Sequence, residues 1–156
     1  MPDAAELTLR RSRPLDLEPL VDLLTDEADL ALVNPSAKHP FDPMEWYEIW
    51  LNEPGDAAYY LVDDDGREQG FFALRPGIGP EQRHLAYVYV APEARGGAGD
   101  RLTTLVEKAA RDLDALTVTL KCETDNAPAL NAYRAAGYEE LDVNGGMATM
   151  RIDLGA

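Results

Sequence analysis

The stretch VYVAPEARGGAGDRLTTLVEKAA, residues 88–110, contains a strand pattern, a glycine-rich loop and a helix pattern in succession. Glycine occupies positions 96, 97 and 99, and Arg95 precedes the first of them. The first amides of a helix have no partner within the helix, and the helix dipole adds partial positive charge there. Glycines also let phosphate oxygens reach backbone N–H groups. The stretch therefore predicts an anion site, and a plain strand-to-helix turn with a solvated Arg95 is the alternative.

Two well-known phosphate-binding loops do not match this stretch. A Walker-type loop needs Gly-Lys-Ser or Gly-Lys-Thr at the start of the helix, whereas this chain has Gly99-Asp100-Arg101. A dinucleotide-binding loop starting at Gly97 would need a third glycine where Leu102 stands. The glycine loop also lies late in the chain, after several strands that the sequence predicts to be antiparallel, which argues against a dinucleotide-binding fold.

The rest of the chain predicts strands and helices on both sides of the glycine loop. Alternating apolar residues predict strands at 6–12, 57–62, 70–75, 84–90, 116–122, 138–143 and 147–154. Apolar residues three and four apart predict helices from Leu17 to Ala28, across 43–53, from Ala98 to Leu113 and from about Asn126 to Ala136. Since no internal repeat or linker interrupts the pattern, residues 1–156 are expected to form a single domain.

The net charge and the composition of the chain indicate which kinds of partner it can bind. Asp and Glu number 29 against 14 Lys and Arg, so the formal charge of -15 repels phosphate backbones and nucleic acid is not an expected partner. The charge is interpreted either as attraction for cationic acceptors or as a solvated acidic surface. The first residues, MPDAAELTLRRSRP, lack the apolar core of a signal peptide, and no apolar run is long enough to span a membrane. A cytoplasmic protein without a membrane partner is the expectation.

Metal and thiol chemistry is not predicted. The one cysteine, Cys122, lies in the strand pattern LTVTLKC and is expected to be a small buried residue. The two histidines, His39 and His84, are far apart in sequence, so they do not indicate a metal site.

Two motifs resemble those of the GNAT superfamily of N-acetyltransferases. VAPEARGGAGDRL, residues 90–102, resembles the signature V-x-P-x-x-R-G-x-G-x-G, with matches at Val90, Pro92, Arg95 and Gly96. NAPALNAYRAAGY, residues 126–138, resembles the second signature N-x-x-A-x-x-x-Y-x-x-x-G-[FY] at every fixed position, namely Asn126, Ala129, Tyr133, Gly137 and Tyr138. The resemblance extends over nearly the whole chain. It implies an α/β (α+β) fold with a mixed, mostly antiparallel central sheet of about six to seven strands flanked by about four helices.

The first motif can be aligned in two registers. Without a gap, Ala98 and Asp100 stand where the later glycines of the signature belong. With a loop one residue shorter, Gly97-Ala98-Gly99 becomes the final G-x-G. We favour the shorter loop because it keeps Leu102 and its apolar partners on the buried side of the helix.

The resemblance implies acetyl-CoA as the co-substrate. The backbone of the fourth strand, around Tyr89, Val90 and Ala91, would pair with the pantetheine arm and polarise the thioester, and Asn126 would also contact the coenzyme while capping its helix. The glycine loop would hold the pyrophosphate through Arg95, Gly96, Gly97, Ala98, Gly99, Asp100 and Arg101.

Acetyl transfer to an amine requires a neutral nitrogen and a proton for the departing thiolate. By resemblance, Tyr133 would be the general acid, although a tyrosine on such a face is often simply part of the core. Some relatives use a glutamate in the fourth strand as base, and here His84 occupies the matching position. Its ordinary pKa of about 6.5 suits that task, and nearby Glu81 or water alone are the alternatives.

The function implied is an N-acetyltransferase that moves an acetyl group from acetyl-CoA to a primary amine, first of all a small molecule. Acetylation of a protein N-terminus or lysine is the enzymatic alternative, and a non-catalytic coenzyme A-binding or interaction module is the alternative from another class. Six aromatic residues have two alternative interpretations. The resemblance implies that they line the acceptor site, whereas their helical and strand spacing indicates core residues: Trp46, Trp50, Tyr59, Tyr60, Phe71 and Phe72. A homodimer is possible, since many relatives are dimers.

Overall fold

The computed structural model describes residues 7–79, 81–92 and 98–155. Its seven strands form one sheet in the order β1-β2-β3-β4-β5-β7-β6. The strands are β1 (Thr8–Arg11), β2 (Ala57–Val62), β3 (Glu68–Pro76), β4 (Gln82–Val90), β5 (Thr117–Glu123), β6 (Glu139–Asn144) and β7 (Met147–Asp153). β4 and β5 pair in parallel, and all other neighbours pair antiparallel. The predicted mixed, mostly antiparallel sheet is thereby confirmed.

Five helices flank the sheet within the described ranges, one more than the approximate number predicted. They are α1 (Glu18–Leu23), α2 (Glu27–Val33), α3 (Pro43–Glu45, continued by a π-helical turn Trp46–Trp50), α4 (Ala98–Asp112) and α5 (Ala127–Ala135). The single helix predicted from Leu17 to Ala28 was wrong, because Asp26 starts a second helix by accepting a hydrogen bond from the Asp29 amide (3.0 Å). No helix of the described residues is long and apolar enough to cross a bilayer.

The helices cover the two faces of the sheet separately. One apolar cluster joins β-strand residues to α4 and α5, and we call this side the α4 face. A second cluster joins the opposite side of β2, β3 and β4 to α1, α2 and α3, and we call this side the α2 face. Since α4 buries Leu102, Leu105, Val106, Ala109 and Ala110, its apolar stripe packs as predicted.

Strands β4 and β5 separate part-way along the sheet. Their parallel pairing ends at Leu85 and Leu120, while β5 continues to Glu123 along β7. In the same region β4 contains a bulge against β3, and Tyr87 there has the positive φ of 57°. The bulge bends β4 away from its neighbour, so a gap opens in the middle of the sheet.

Candidate functional site

A cleft of about 870 Å³ occupies the gap between β4 and β5. It is lined by β4 from His84 to Val90, by β5 from Leu120 to Glu123, and by residues of α2, α4 and α5. Because α2 lies on one face of the sheet and α4 and α5 on the other, the cleft is lined from both sides. Two ligands entering from opposite faces could therefore meet in the gap.

The predicted phosphate site lies at the start of α4. Helix α4 begins at Ala98, so Ala98, Gly99 and Asp100 form its first turn, where backbone amides lack partners within the helix. Arg95, Gly96 and Gly97 lie outside the described residues. Arg101 donates from Nε to the Leu7 carbonyl (3.0 Å), so it ties the start of α4 to the residue before β1.

Helix α5 places Tyr133 in the cleft. The helix starts at the Asn126 cap, whose Oδ1 accepts a hydrogen bond from the Ala129 amide (3.3 Å), as the sequence predicted. Tyr133 is only 8% exposed, lines the cleft beside Cys122 and meets the Tyr138 ring edge to face, with centroids 5.5 Å apart. Burial raises the pKa of the Tyr133 phenol well above its usual range, and the neighbouring Cys122 and Tyr138 add to the effect. The phenol therefore keeps its proton at neutral pH.

His84 lies at the point where β4 and β5 part. Its Nδ1 is 2.9 Å from the Thr119 hydroxyl of β5, and the residue is among those that line the cleft. Burial lowers the pKa of His84 below its usual value, and the positive charges of Lys121 and Arg75 lower it further. The imidazole is consequently neutral at physiological pH, the form that can accept a proton. Glu81, the alternative base, is exposed and does not line the cleft.

The bulged end of β4 contributes residues to both faces. Tyr87 and Tyr89 pack on the α2 face, and Val88 and Val90 pack on the α4 face, and all four line the cleft. Ala91 does not line it, and its amide donates to the Gln69 carbonyl (2.7 Å) towards β3. Of the three predicted backbone contacts, those of Tyr89 and Val90 are thus beside the cleft.

The six aromatic residues considered for the acceptor wall do not line the cleft. Trp46, Tyr60, Phe71 and Phe72 are at most 1% exposed, and Tyr59 is nearly as deeply buried. They hold the sheet and its helices together through ring contacts such as that of Tyr59 with Phe72. The interpretation as core residues fits these five, and the half-buried Trp50 packs against the cluster on the α2 face.

The deciding comparison is a family model. The model described as the acetyltransferase (GNAT) family matches residues 18–138. The chain belongs to the acetyltransferase (GNAT) family. This match spans both signatures, so the resemblance predicted from the two motifs is confirmed.

Two curated relatives of this GNAT chain are mycothiol acetyltransferases. That of Pseudarthrobacter chlorophenolicus is 38% identical over 102 residues, and that of an Arthrobacter species is 36% identical over 102 residues. In each case the match covers 62% of this chain and 31% of the relative. The chain therefore matches about a third of the length of these relatives.

Solved GNAT structures share the fold over nearly the whole chain. The spermidine N-acetyltransferase of Vibrio cholerae, in complex with CoA and spermine, has a TM-score of 0.76 at 18% identity and covers 96% of each chain. The N-acetyltransferase PseH of Campylobacter jejuni has a TM-score of 0.67 at 14% identity and covers 95% of this chain and 98% of its own. At such low identity these likenesses show the fold alone.

The GNAT motifs did not reveal every residue of the cleft. Lys121 lines it from β5, and Asp29, Leu32 and Val33 line it from α2. No local signal in the sequence pairs β5 with β4 or brings α2 across the sheet, because these contacts depend on the tertiary fold.

Proposed function

We propose that this protein transfers an acetyl group from acetyl-CoA directly to a primary amine in the cleft between β4 and β5. The observation that carries the proposal is the placement of two neutral, proton-transferring groups on that cleft. Tyr133, a protonated phenol, approaches from the α4 face, and His84, a neutral imidazole, lies at the inner end of the gap. When a thioester and an amine meet between these two side chains, Tyr133 can donate a proton to the departing thiolate and His84 can accept a proton from the amine.

The reaction needs two proton movements. His84 removes a proton from the ammonium form of the acceptor, which leaves a nitrogen lone pair to attack the thioester carbonyl. A C–N bond forms, the C–S bond breaks, the second nitrogen proton is lost to the solvent, and His84 releases the first one there. Tyr133 donates its proton to the departing sulfur and regains one from water. The products are the N-acetyl amine and coenzyme A with a free thiol.

The described residues fit a coenzyme A-like molecule. The cleft has room for a pantetheine arm along Tyr89 and Val90, and Asn126 lines the same cleft. The first turn of α4 supplies backbone amides for phosphate oxygens, next to Arg95, Gly96 and Gly97 in the sequence. Acetyl-CoA supplies the activated acyl group, and the protein supplies position and proton transfer.

A cationic small molecule is the acceptor class we favour. Among the described residues lining the cleft, the carboxylates of Asp29, Glu123 and Asp125 outnumber the single ammonium of Lys121. This balance attracts a protonated amine. The names of the similar proteins mention spermidine and mycothiol, so an amine panel should include spermidine and other small-molecule amines, beside a lysine peptide and a peptide with a free N-terminus.

The test is a Tyr133→Phe variant compared with a Tyr138→Phe control. Both rings belong to the same edge-to-face pair and both are buried, but only Tyr133 lines the cleft. We expect Tyr133→Phe to lower kcat by about 10²-fold or more, as for loss of a general acid, while the dissociation constant for acetyl-CoA stays near that of the wild type. Tyr138→Phe should retain activity. Thiol release measures turnover, and calorimetry measures binding.

Two results would argue against the proposal. If Tyr133→Phe acetylates its best acceptor at the wild-type rate, Tyr133 is not the acid. If acetyl-CoA binds but no amine releases thiol, a non-catalytic coenzyme A-binding module is the better description, and the loop one residue shorter than the signature is the feature that favours it. Cytoplasmic location, a homodimer and a single domain over 1–156 stay predictions.

A further inference from the structure

A row of polar side chains crosses the sheet at the inner end of the cleft. Arg75 of β3, His84 of β4, Thr119 of β5 and Arg151 of β7 are successive partners in register. His84 Nδ1 and Thr119 Oγ1 are 2.9 Å apart, a hydrogen-bond distance. In the described part of the chain, this hydroxyl is the protein partner of the His84 ring. The other ring nitrogen, Nε2, is the one left to act on a ligand in the cleft.

The direction of this hydrogen bond decides what His84 can do. If Thr119 donates to Nδ1, then Nε2 carries the hydrogen and the neutral ring offers the cleft no lone pair. If Nδ1–H donates to Thr119, then Nε2 is unprotonated and can accept a proton. In a neutral histidine the hydrogen bond made by one nitrogen sets the state of the other.

We propose that Thr119 is a positioning residue: its hydroxyl accepts a hydrogen bond from Nδ1–H of His84 and so keeps the Nε2 lone pair available to the cleft. The inference rests on the proposed function, because only a proton-accepting His84 requires this tautomer. Thr119 itself does not line the cleft, so it acts through His84.

The charged groups around the pair keep the ring neutral. Lys121 lies two residues along β5, and Arg75 lies opposite on β3, where Asp56 pairs with its guanidinium (2.9 Å). Arg151 follows Thr119 in the row and is 3.5 Å from Asp153. Lys121 and Arg75 are the two cations that lower the pKa of His84, because they oppose a positive charge on the imidazole. The ring is therefore already neutral, and what Thr119 determines is which of its two nitrogens carries the hydrogen.

The chain is well suited to a direct test, because it contains only two histidines. Two-bond ¹H–¹⁵N NMR spectra distinguish an unprotonated ring nitrogen from a protonated one, and a His39→Gln variant assigns the two rings. In the wild type at pH 8 we expect Nε2 of His84 to be unprotonated and Nδ1 to be protonated. In Thr119→Val this preference should weaken, since valine has the shape of threonine but no oxygen. Thr119→Ser should restore the preference.

A matched control is Thr117→Val, on the same side of β5 two residues earlier. The Thr117 hydroxyl donates to Asp153 (3.2 Å), and this residue does not line the cleft. We expect its spectrum for His84 to match the wild type. A protonated Nε2 in the wild type, or an unchanged tautomer in a folded Thr119→Val protein, overturns the inference.

Kinetics separates this inference from the proposed function. With an amine acceptor, Thr119→Val should lower kcat/KM by roughly tenfold and Thr119→Ser much less, by analogy with the 10–100-fold cost of removing partners that orient metal-bound histidines. KM for acetyl-CoA should not change. If the NMR result is as expected but no amine is acetylated, the hydrogen bond stands and the catalytic role fails. If acetylation proceeds and Thr119→Val is fully active, the positioning role fails.

Discussion

At the scale of single residues, the cleft depends on burial as much as on residue type. Tyr133 was recognised from its motif, but the pKa of its phenol is raised by burial first and by the neighbouring Cys122 and Tyr138 second, which the motif does not describe. His84 was found by counting along a strand, whereas its neutral state results from burial and from Lys121 and Arg75. Both residues could be chosen from the sequence as candidates, and both line the cleft, but their proton affinities could not be predicted because these depend on tertiary neighbours.

The depressed pKa of His84 predicts a pH dependence of stability. The unfolded chain takes up a proton on this histidine below its ordinary pKa of about 6.5, whereas the folded chain does so only at lower pH. The contribution of His84 to the free energy of unfolding is therefore fully present above about pH 6.5 and is lost as the pH falls towards the folded-state pKa. Urea unfolding between pH 5 and pH 8 should show a smaller decline for His84→Gln than for the wild type. A decline of equal slope in the two proteins would contradict the shift.

At the scale of secondary-structure elements, elements with local signals were predicted well. The β2–β3 and β6–β7 hairpins and the capped α5 lie where turn and cap residues indicated, and Gly145 and Gly146 take the positive φ values of 60° and 79° that the last hairpin turn requires. The break between α1 and α2 was missed because apolar spacing continued across it. The bulge at Tyr87 was also missed, since strand alternation gives no warning of one inserted residue.

The cap of α5 allows its structural role to be separated from coenzyme binding. Asn126→Ala removes the side-chain oxygen that accepts from the Ala129 amide, and it should lower the free energy of unfolding by about 1 kcal/mol. Asn126→Ser keeps a capping oxygen and should be nearly as stable as the wild type. Both variants lose the amide group that would contact the coenzyme. We expect both to bind acetyl-CoA more weakly in calorimetry, and wild-type affinity in Asn126→Ser would limit Asn126 to capping.

At the scale of the whole molecule, the proposed function requires the chain to bind an anion while it carries a formal charge of -15. Acetyl-CoA, the co-substrate that we propose, is strongly anionic, so the long-range field would oppose its approach, whereas the first backbone amides of α4 would stabilise its phosphates after binding. The Debye length falls from about 30 Å at 0.01 M salt to about 8 Å at physiological salt. Salt should therefore screen the repulsion during approach and the attraction after binding.

These opposite effects predict how the two rate constants for acetyl-CoA change with salt. Between roughly 0.01 M and 0.15 M salt, the association rate constant should rise because the repulsion is screened, and the dissociation rate constant should also rise because local phosphate contacts weaken. Stopped-flow fluorescence measures both. Uncharged acetyl-pantetheine is the control ligand, and its association rate should not depend on salt. An association rate that falls with salt for acetyl-CoA would mean that a local positive field outweighs the net charge and guides the coenzyme to the cleft.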